Sequence, residues 1–293
     1  MTVINTNVAA TITANALTKN ERAMSQAMER LSTGQRINSA GDDAAGLAIS
    51  SRMTTYIKGL DMAVRNANDA ISMIQTADGA LIEMTNMLQR MRELAVQASS
   101  GTYSATDRDA LNVEFEALTA AVEDIADDTQ WNGVSLLNGA SAFSFHVGAN
   151  ASQTISLTIA DFETEESSMT SGIFEALADG VTSNNDNSGD DLDSLDVDTV
   201  SNAGTALTYI TTALGRIESH RATLGATINR LEYAADNLAN VSQNTLASRS
   251  RVLDADYASE TTELAKTQII QQAATAMLSQ ANQQAQSVLA LLK

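Results

Sequence analysis

The sequence predicts a mainly α-helical protein in which both chain ends form a long, coiled-coil-like helical bundle, or rod, with a small β-hairpin and a variable region in the middle. Three observations predict this fold class. Apolar residues recur in alternating steps of four and three along both halves of the chain, which is the spacing of coiled-coil packing. None of the 293 residues is proline, which would break a long helix. Between the halves, apolar residues occupy every second position, as they do in strands.

The longest helix follows an apolar seam of more than six heptads that ends at Ser99-Ser100-Gly101. At a rise of about 1.5 Å per residue, a helix of this extent is a rod of about 75 Å. Upstream of it, either Ser39 or Asp42 is predicted to cap the helix. The seam positions are Ile49, Met53, Tyr56, Leu60, Ala63, Ala67, Ala70, Ile74, Ala77, Leu81, Met84, Leu88, Met91 and Ala95.

Two further helices carry apolar stripes of similar spacing. One begins at about Thr106, and the other lies late in the chain, where Arg221 and Ser242 interrupt its seam. Because no such stripe can be buried alone, the three predict a bundle in which the N- and C-terminal portions of the chain meet. The stripes are Leu111, Phe115, Leu118, Val122 and Ile125, and then Leu207, Ile210, Leu214, Ile217, Leu224, Ile228, Leu231 and Leu238.

The two chain ends carry narrower, alanine-rich seams padded with Asn, Gln, Ser and Thr, and Gln284 occupies one seam position. Helices of this kind bury little apolar surface and are marginal in water. We therefore expect both tails to be poorly ordered in a monomer and to become ordered only on association. The seam positions are Val3, Ala10, Leu17, Met24 and Leu31 at the start, and Ile270, Ala274, Met277, Ala281, Val288 and Leu291 at the end.

The middle of the chain predicts two short strands and an acidic loop. Residues 141–200 contain 12 Asp and Glu and no Lys or Arg. Within them, residues 184–198 offer oxygen ligands for calcium but place Leu195 where an EF-hand needs its bidentate Glu, which favours a solvated loop. The strands are predicted from two alternating runs, Phe143, Phe145 and Val147, and then Ile155, Leu157 and Ile159.

Composition argues against several functional classes. A net charge of −19 is unsuited to binding nucleic-acid phosphates, and a chain without cysteine has no disulfide or thiol chemistry. No apolar run of about 18 residues predicts a membrane span, and no cleavable N-terminal signal is visible. The two histidines, His146 and His220, lie in unrelated segments. We therefore predict no enzyme and no catalytic, cofactor or metal site.

Several short motifs resemble those of bacterial flagellins. The resemblance covers about residues 1–140 and 200–293, with the motifs in the family's order, and leaves 141–200 as the family's variable, outward-facing region. The motifs are RINSAGDDAAGLAI at 36–49, QRMRELAVQ at 89–97, TQWNG at 129–133, DADYA at 254–258 and QANQ at 280–283.

The resemblance implies a structural subunit that polymerises into the flagellar filament for swimming motility. Such a subunit is exported unfolded, folds on assembly and lies outside the cell. The implied segments are an inner-tube helix and connector (1–43), the first part of a rod domain (44–140), the variable region (141–200), the second part of the rod domain (201–250) and a C-terminal inner-tube helix (251–293). The implied inner-tube polymerisation contacts are Val3, Ala10, Leu17, Met24, Leu31, Ile270, Met277, Val288 and Leu291.

The resemblance also implies partners other than copies of the chain. These are an export chaperone, the filament cap and hook-junction proteins, and a host Toll-like receptor. Arg90, Leu94 and Glu114 match positions through which that receptor recognises flagellins, and Gln89 and Gln97 are nearby candidate contacts. Leu94 is expected to be exposed beside Arg90. The alternative role for this face is packing against a neighbouring subunit. Within the structural class, the runner-up is the hook–filament junction protein, and a coiled-coil effector secreted by the same apparatus comes third.

Overall fold

The computed structural model describes residues 7–139, 141–162, 192 and 195–290, with side chains described as far as residue 283. These residues form five helices and four short strands. In chain order they are α1 (Val8–Thr33), α2 (Ala44–Ala98), α3 (Ala105–Asp128), β1 (Gln130–Trp131), β2 (Val134–Ser135), β3 (Ser141–His146), β4 (Thr154–Ile159), α4 (Val200–Leu253) and α5 (Tyr257–Ala290).

The chain divides into two compact units. The end unit contains residues 1–57 and 242–293, and therefore α1, α5, the start of α2 and the end of α4. The rod unit contains residues 58–241, with the rest of α2 and α4, α3 and all four strands. The boundaries of the units lie inside α2 and α4. The division predicted from the sequence lies at the start of α2 (43/44) and three residues before the end of α4 (250/251), and it stays a prediction.

The core of the rod unit is built from α2, α3 and α4, which confirms the predicted helical bundle. Every predicted seam position of α2 from Leu60 to Ala95 is at most 3% exposed. Where Arg221 interrupts the seam of α4, its guanidinium forms an ion pair with Asp78 of α2 at 2.7 Å. The fully buried seam residues of the other two helices are Phe115 and Val122 on α3, and Ile210, Ile217, Leu224 and Leu231 on α4.

The prediction that the α2 seam packs along its whole length is wrong at the N-terminal end of the helix. Ile49 and Tyr56 are 37% and 38% exposed, whereas Ser50 and Ile57, one residue further on, are buried. One residue turns a helix by about 100°, so in the end unit α2 buries a face beside the apolar stripe rather than the stripe itself. Heptad spacing identifies the apolar face of a helix, but it does not say whether the same chain covers that face.

The cap of α2 is Asp43 rather than Ser39 or Asp42. The Asp43 carboxylate accepts a hydrogen bond from the backbone N–H of Gly46 at 2.8 Å, as an N-terminal cap does. Asp42 instead closes the preceding turn, where it accepts from the backbone and hydroxyl of Ser39. Hydrogen bonds, first from the Ser39 backbone and then from the Gln26 side chain, hold the pKa of Asp42 below its ordinary value.

The predicted hairpin in the middle of the chain is confirmed. β3 and β4 pair antiparallel, with Phe143 opposite Leu157 and Phe145 opposite Ile155, and Leu157 lies in the core of the rod unit. A smaller hairpin, β1–β2, turns at Asn132-Gly133, whose φ values are 50° and 80°. Two successive positive φ values are typical of the turn that Asn-Gly favours. Most of the predicted acidic loop, residues 184–191, 193 and 194, lies outside the described residues.

Candidate assembly interface

The end unit is organised by an antiparallel pair of helices, α1 and α5. Asn7 donates to the carbonyl of Ala281 at 3.1 Å, and Asn20 donates to the carbonyl of Thr267 at 2.7 Å. Between these two bonds, the donors advance 13 residues along α1 while the acceptors retreat 14 residues along α5. Side chains from opposite ends of the chain therefore hold the pair in one register.

The connector between α1 and α2 and the connector between α4 and α5 are also joined by backbone hydrogen bonds. The backbone N–H of Ala255 donates to the carbonyl of Gly34 at 2.9 Å, and that of Arg36 donates to the carbonyl of Leu253 at 2.7 Å. Arg30 of α1 forms an ion pair with Glu260 of α5 at 3.1 Å. The connector that leads from α1 to α2 therefore runs beside the one that leads from α4 to α5.

The facing seams of the pair consist mainly of small, polar and medium-sized apolar residues. The positions predicted on α1 that the structure describes are half-buried in its seam, whereas Ile270 and Met277 of α5 are exposed. Val3 and Leu291 lie outside the described residues, as does the side chain of Val288. The buried or half-buried positions are Ala10, Thr13, Leu17, Asn20, Ala23, Met24, Ala27, Arg30 and Leu31 on α1, and Glu260, Glu263, Leu264, Thr267, Gln271, Ala274, Leu278 and Ala281 on α5.

Outside these seams, six large aliphatic or methionine side chains are exposed among the described residues of α1 and α5, and we call them the outer residues of the pair. An apolar side chain that becomes fully buried contributes roughly 1.5–3 kcal/mol to stability. An isolated α1–α5 pair lacks most of this stabilisation at its outer residues, because they remain exposed. Large apolar side chains that a single chain leaves exposed are available for contacts with another chain. The outer residues are Val8 (54% exposed), Ile12 (64%) and Met28 (55%) on α1, and Ile269 (67%), Ile270 (42%) and Met277 (63%) on α5.

The residues predicted to contact a host receptor are only partly brought together. Arg90 is exposed and bonded to the Glu114 carboxylate at 2.8 Å and to the Glu93 carboxylate at 3.0 Å, and these hydrogen bonds, Glu114 first, raise the pKa of Arg90 above its ordinary value. Gln89 is exposed, and Gln97 is half-buried.

The expectation that Leu94 is exposed beside Arg90 is wrong. Leu94 is 1% exposed and belongs to the core of the rod unit. It follows the seam residue Met91 by three positions, and α2 is buried over a broader stripe than a two-helix seam because α3 and α4 both contribute to the same core. The exposed apolar residues that the sequence analysis missed on these helices include Val96 on α2 (50% exposed) and Val113 on α3 (67%).

Among the described residues, no three His, Asp or Glu side chains lie together as metal ligands would, and no helix is long and apolar enough to cross a membrane. His146 is exposed on β3. The ring of His220 packs edge-on against Phe162, with the ring centroids 5.4 Å apart, and burial lowers the pKa of this histidine.

Comparison with known proteins decides the family. The family model of the bacterial flagellin N-terminal helical region matches residues 4–142, and that of the C-terminal helical region matches residues 207–292. The chain belongs to the flagellin family. It is therefore a structural subunit of the flagellar filament, the extracellular homopolymer that flagellin forms.

Two flagellins are similar over nearly the whole chain. A flagellin of Bacillus subtilis is 42% identical over 309 residues, covering 99% of each chain. A flagellin of Halalkalibacterium halodurans is 45% identical over 269 residues, covering 92% of this chain and 91% of the relative. A solved structure described as a flagellar hook-associated protein, from Vibrio parahaemolyticus, covers 73% of this chain and 100% of its own at a TM-score of 0.57. It is 10% identical, so the likeness is one of fold alone.

Proposed function

We propose that this filament subunit is exported unfolded and that α1 and α5 fold against neighbouring copies as the filament grows. The observation that carries the proposal is the set of large apolar side chains that the helix pair leaves exposed. Its inner seams combine small and polar residues with Leu and Met, whereas its six outer residues are large, apolar and exposed. Neighbouring copies that cover the outer residues would supply the favourable free energy that an isolated pair lacks.

The outer residues of α1 and α5 also need to be covered before a subunit joins the filament, and in the subunits at the two filament ends. An export chaperone that holds α5 would cover Ile269, Ile270 and Met277, which are exposed in the single chain. The filament cap and the hook-junction proteins would cover the outer residues of copies that lack a neighbour at one end. These partners are consistent with one requirement, which is that exposed apolar side chains are buried against another chain.

Hydrogen exchange tests coupled folding and assembly directly. The backbone amides of α1 and α5 are expected to exchange rapidly in monomers and slowly in filaments, whereas those of α2 between 60 and 95 are expected to be protected in both. Equal protection of α1 and α5 in monomers and filaments would contradict the proposal.

A matched pair of methionine substitutions tests the outer residues. Met277→Gln removes an apolar side chain from the outer side of α5, and Met62→Gln makes the same change in the rod unit, where Met62 is 48% exposed. Met277→Gln is expected to raise the critical concentration for filament growth by roughly tenfold, the equivalent of about 1.4 kcal/mol. A smaller effect at Met277 than at Met62 would count against the end helices as the principal contact.

A second function, recognition by a host Toll-like receptor, is favoured by the arrangement at Arg90. Two carboxylates hold this arginine while its side chain remains 49% exposed, so a partner would meet a charged group already fixed in position. Arg90→Ala monomers are expected to lose most activity in a receptor reporter assay. Arg92→Ala, which removes an exposed arginine from the same helix, serves as the control, and equal activity of the two variants would contradict the assignment.

A further inference from the structure

An open groove lies in the end unit, away from the α1–α5 seam. Its volume is about 400 Å³, and its lining consists of side chains from the start of α2 and the end of α4. Ile49 and Tyr56 of α2 are 37% and 38% exposed there, and Leu246, next to the lining residue Thr245, is 39% exposed. The lining residues are Ile49, Arg52, Met53, Tyr56 and Thr245.

The sequence pattern of α2 marks the groove as a surface for packing. Ile49, Met53 and Tyr56 continue, without a break in spacing, the heptad seam that is buried from Leu60 onward. Residues at such positions insert between the side chains of a partner element in a coiled coil. Within the end unit the chain instead buries Ser50 and Ile57. The seam positions Ile49 and Tyr56 are therefore exposed and Met53 is only half-buried, although their spacing predicts full cover.

The charge around the groove favours a partner with the composition of this same chain. Residues 44–57 of α2 and 242–253 of α4 contain Arg52, Arg249 and Arg251 and no Asp or Glu. The whole chain carries a net charge of −19, and α3 alone contains eight carboxylates and one arginine. Two copies therefore repel each other across most of their surfaces, whereas the groove is a place where an acidic copy meets positive charge.

We propose that a second copy of this chain occupies the groove in the filament, with an acidic and apolar surface of the neighbour covering Ile49, Met53 and Tyr56. The proposal rests on the homopolymeric function of the chain and adds a contact outside the α1–α5 pair. In a helical polymer the surfaces that meet are different on the two copies. The groove therefore receives another part of the neighbour and not the neighbour's own groove.

Single cysteines test the contact, because the chain contains none of its own. Ile49→Cys places a thiol in the groove, and Ser51→Cys places one at an exposed position two residues away, on another side of α2. Both thiols are expected to react with a maleimide in monomers. In filaments Cys at 49 is expected to be protected while Cys at 51 stays reactive. Unchanged reactivity at 49, or equal protection at both positions, would overturn the proposal.

A second measurement compares the same substitution at two positions of α2. Ile82 is 39% exposed, so Ile49→Gln and Ile82→Gln remove the same side chain at nearly equal exposure. Ile49→Gln is expected to raise the critical concentration for seeded growth by roughly tenfold relative to Ile82→Gln, and equal values would overturn the proposal. If the parent chain forms no filaments, the filament function itself fails. If filaments form with position 49 open, only the groove contact fails.

Discussion

Asn20 donates its side-chain amide to the backbone carbonyl of Thr267 across 2.7 Å, although 247 residues separate the two in sequence. Asn20 is 8% exposed and Thr267 is 2% exposed. A buried amide requires a hydrogen-bond partner, and in this part of the seam the carbonyl of Thr267 meets that need at one register of the two helices. Asn20 therefore fixes how α1 and α5 slide past each other, as a single buried Asn does in other helix pairs.

Asn20→Leu is expected to keep the helix pair but to loosen its register, because leucine packs equally well at neighbouring heptads. Cysteine pairs measure this by disulfide trapping in assembled filaments. Thr13 lies near the level of Ala274 in the observed register, whereas Ala281 is seven residues away. The parent is expected to form the 13–274 disulfide alone, and Asn20→Leu to form the 13–281 disulfide as well.

The control for this change is Asn15→Leu, because Asn15 is exposed on α1. It is expected to give the parent's disulfide pattern. A 13–281 disulfide in the parent, or its absence in Asn20→Leu, would show that Asn20 does not set the register.

The Arg30–Glu260 ion pair is expected to stabilise the end unit more than an exposed ion pair does. Its side chains are 25% and 13% exposed, and Glu260→Gln would leave a half-buried guanidinium without its charged partner. The expected loss is about 1.5–3 kcal/mol, measured from the thermal depolymerisation of filaments. Glu263→Gln breaks the exposed pair with Lys266 and should cost about 0.5 kcal/mol or less. Equal losses would contradict this difference.

Gly46→Ala is expected to damage the start of α2, although alanine in a helix is normally more stable than glycine by about 1 kcal/mol. A Cβ atom at position 46 would lie 2.5 Å from the Asp43 carboxylate and 2.6 Å from Ile37, and Ile37 is buried. The substitution would therefore displace the cap of α2 and the connector before it.

Trypsin cleavage after Arg36 measures this damage, because Arg36 lies in the connector. Gly46→Ala is expected to be cut faster than the parent. Gly41→Ala is the matched control, since its Cβ would meet only the Ser39 hydroxyl at 3.6 Å, and it should be cut at the parental rate. A Gly46→Ala protein as resistant as the parent would show that the space at position 46 is not needed.

The sequence predicted the helices and strands of the fold more completely than it predicted which other element or chain each of them packs against. The seam from Leu60 to Ala95 follows directly from its spacing, because in the rod unit one face of α2 is covered by the same chain. Ile49 and Tyr56 follow the same spacing but are exposed, since a heptad pattern does not say which chain supplies the cover. The exposure of Leu94 was mispredicted because two flanking helices bury a wider stripe than one.

The cap of α2 and the register of the α1–α5 pair could not be predicted from the sequence, because both depend on tertiary structure. Asp42 and Asp43 are adjacent carboxylates before the same helix, and only the fold of the turn decides which of them meets the N–H of Gly46. The pairing of Asn20 with the backbone of Thr267 depends on a register set by tertiary structure. The innate-receptor and polymerisation roles of the named residues remain predictions.

His220 is expected to make the rod unit sensitive to mild acid. Burial lowers the pKa of this residue below its ordinary value of 6.5, and its Nε2 has no hydrogen-bond partner among the described residues. The unfolded chain therefore takes up a proton as the pH falls through about 6.5, whereas the folded chain does so only at lower pH. The free energy of unfolding should decrease over that window.

Thermal unfolding of monomers at neutral pH and at about pH 5.5 measures the His220 effect. His220→Leu is expected to reduce the dependence of the melting temperature on pH in this range. His146→Leu, at an exposed position, should leave it unchanged. An identical pH dependence in the parent and His220→Leu would contradict the role of His220.

The most direct test of assembly through both chain ends is negative-stain electron microscopy of purified protein after short filament seeds are added. The full-length chain is expected to extend the seeds into long tubes of uniform diameter. A truncation that lacks residues 270–293 removes Met277 and the C-terminal part of α5, and is expected to remain a soluble, helical protein that does not extend them. Uniform tubes grown from the truncated chain would contradict assembly through the paired end helices.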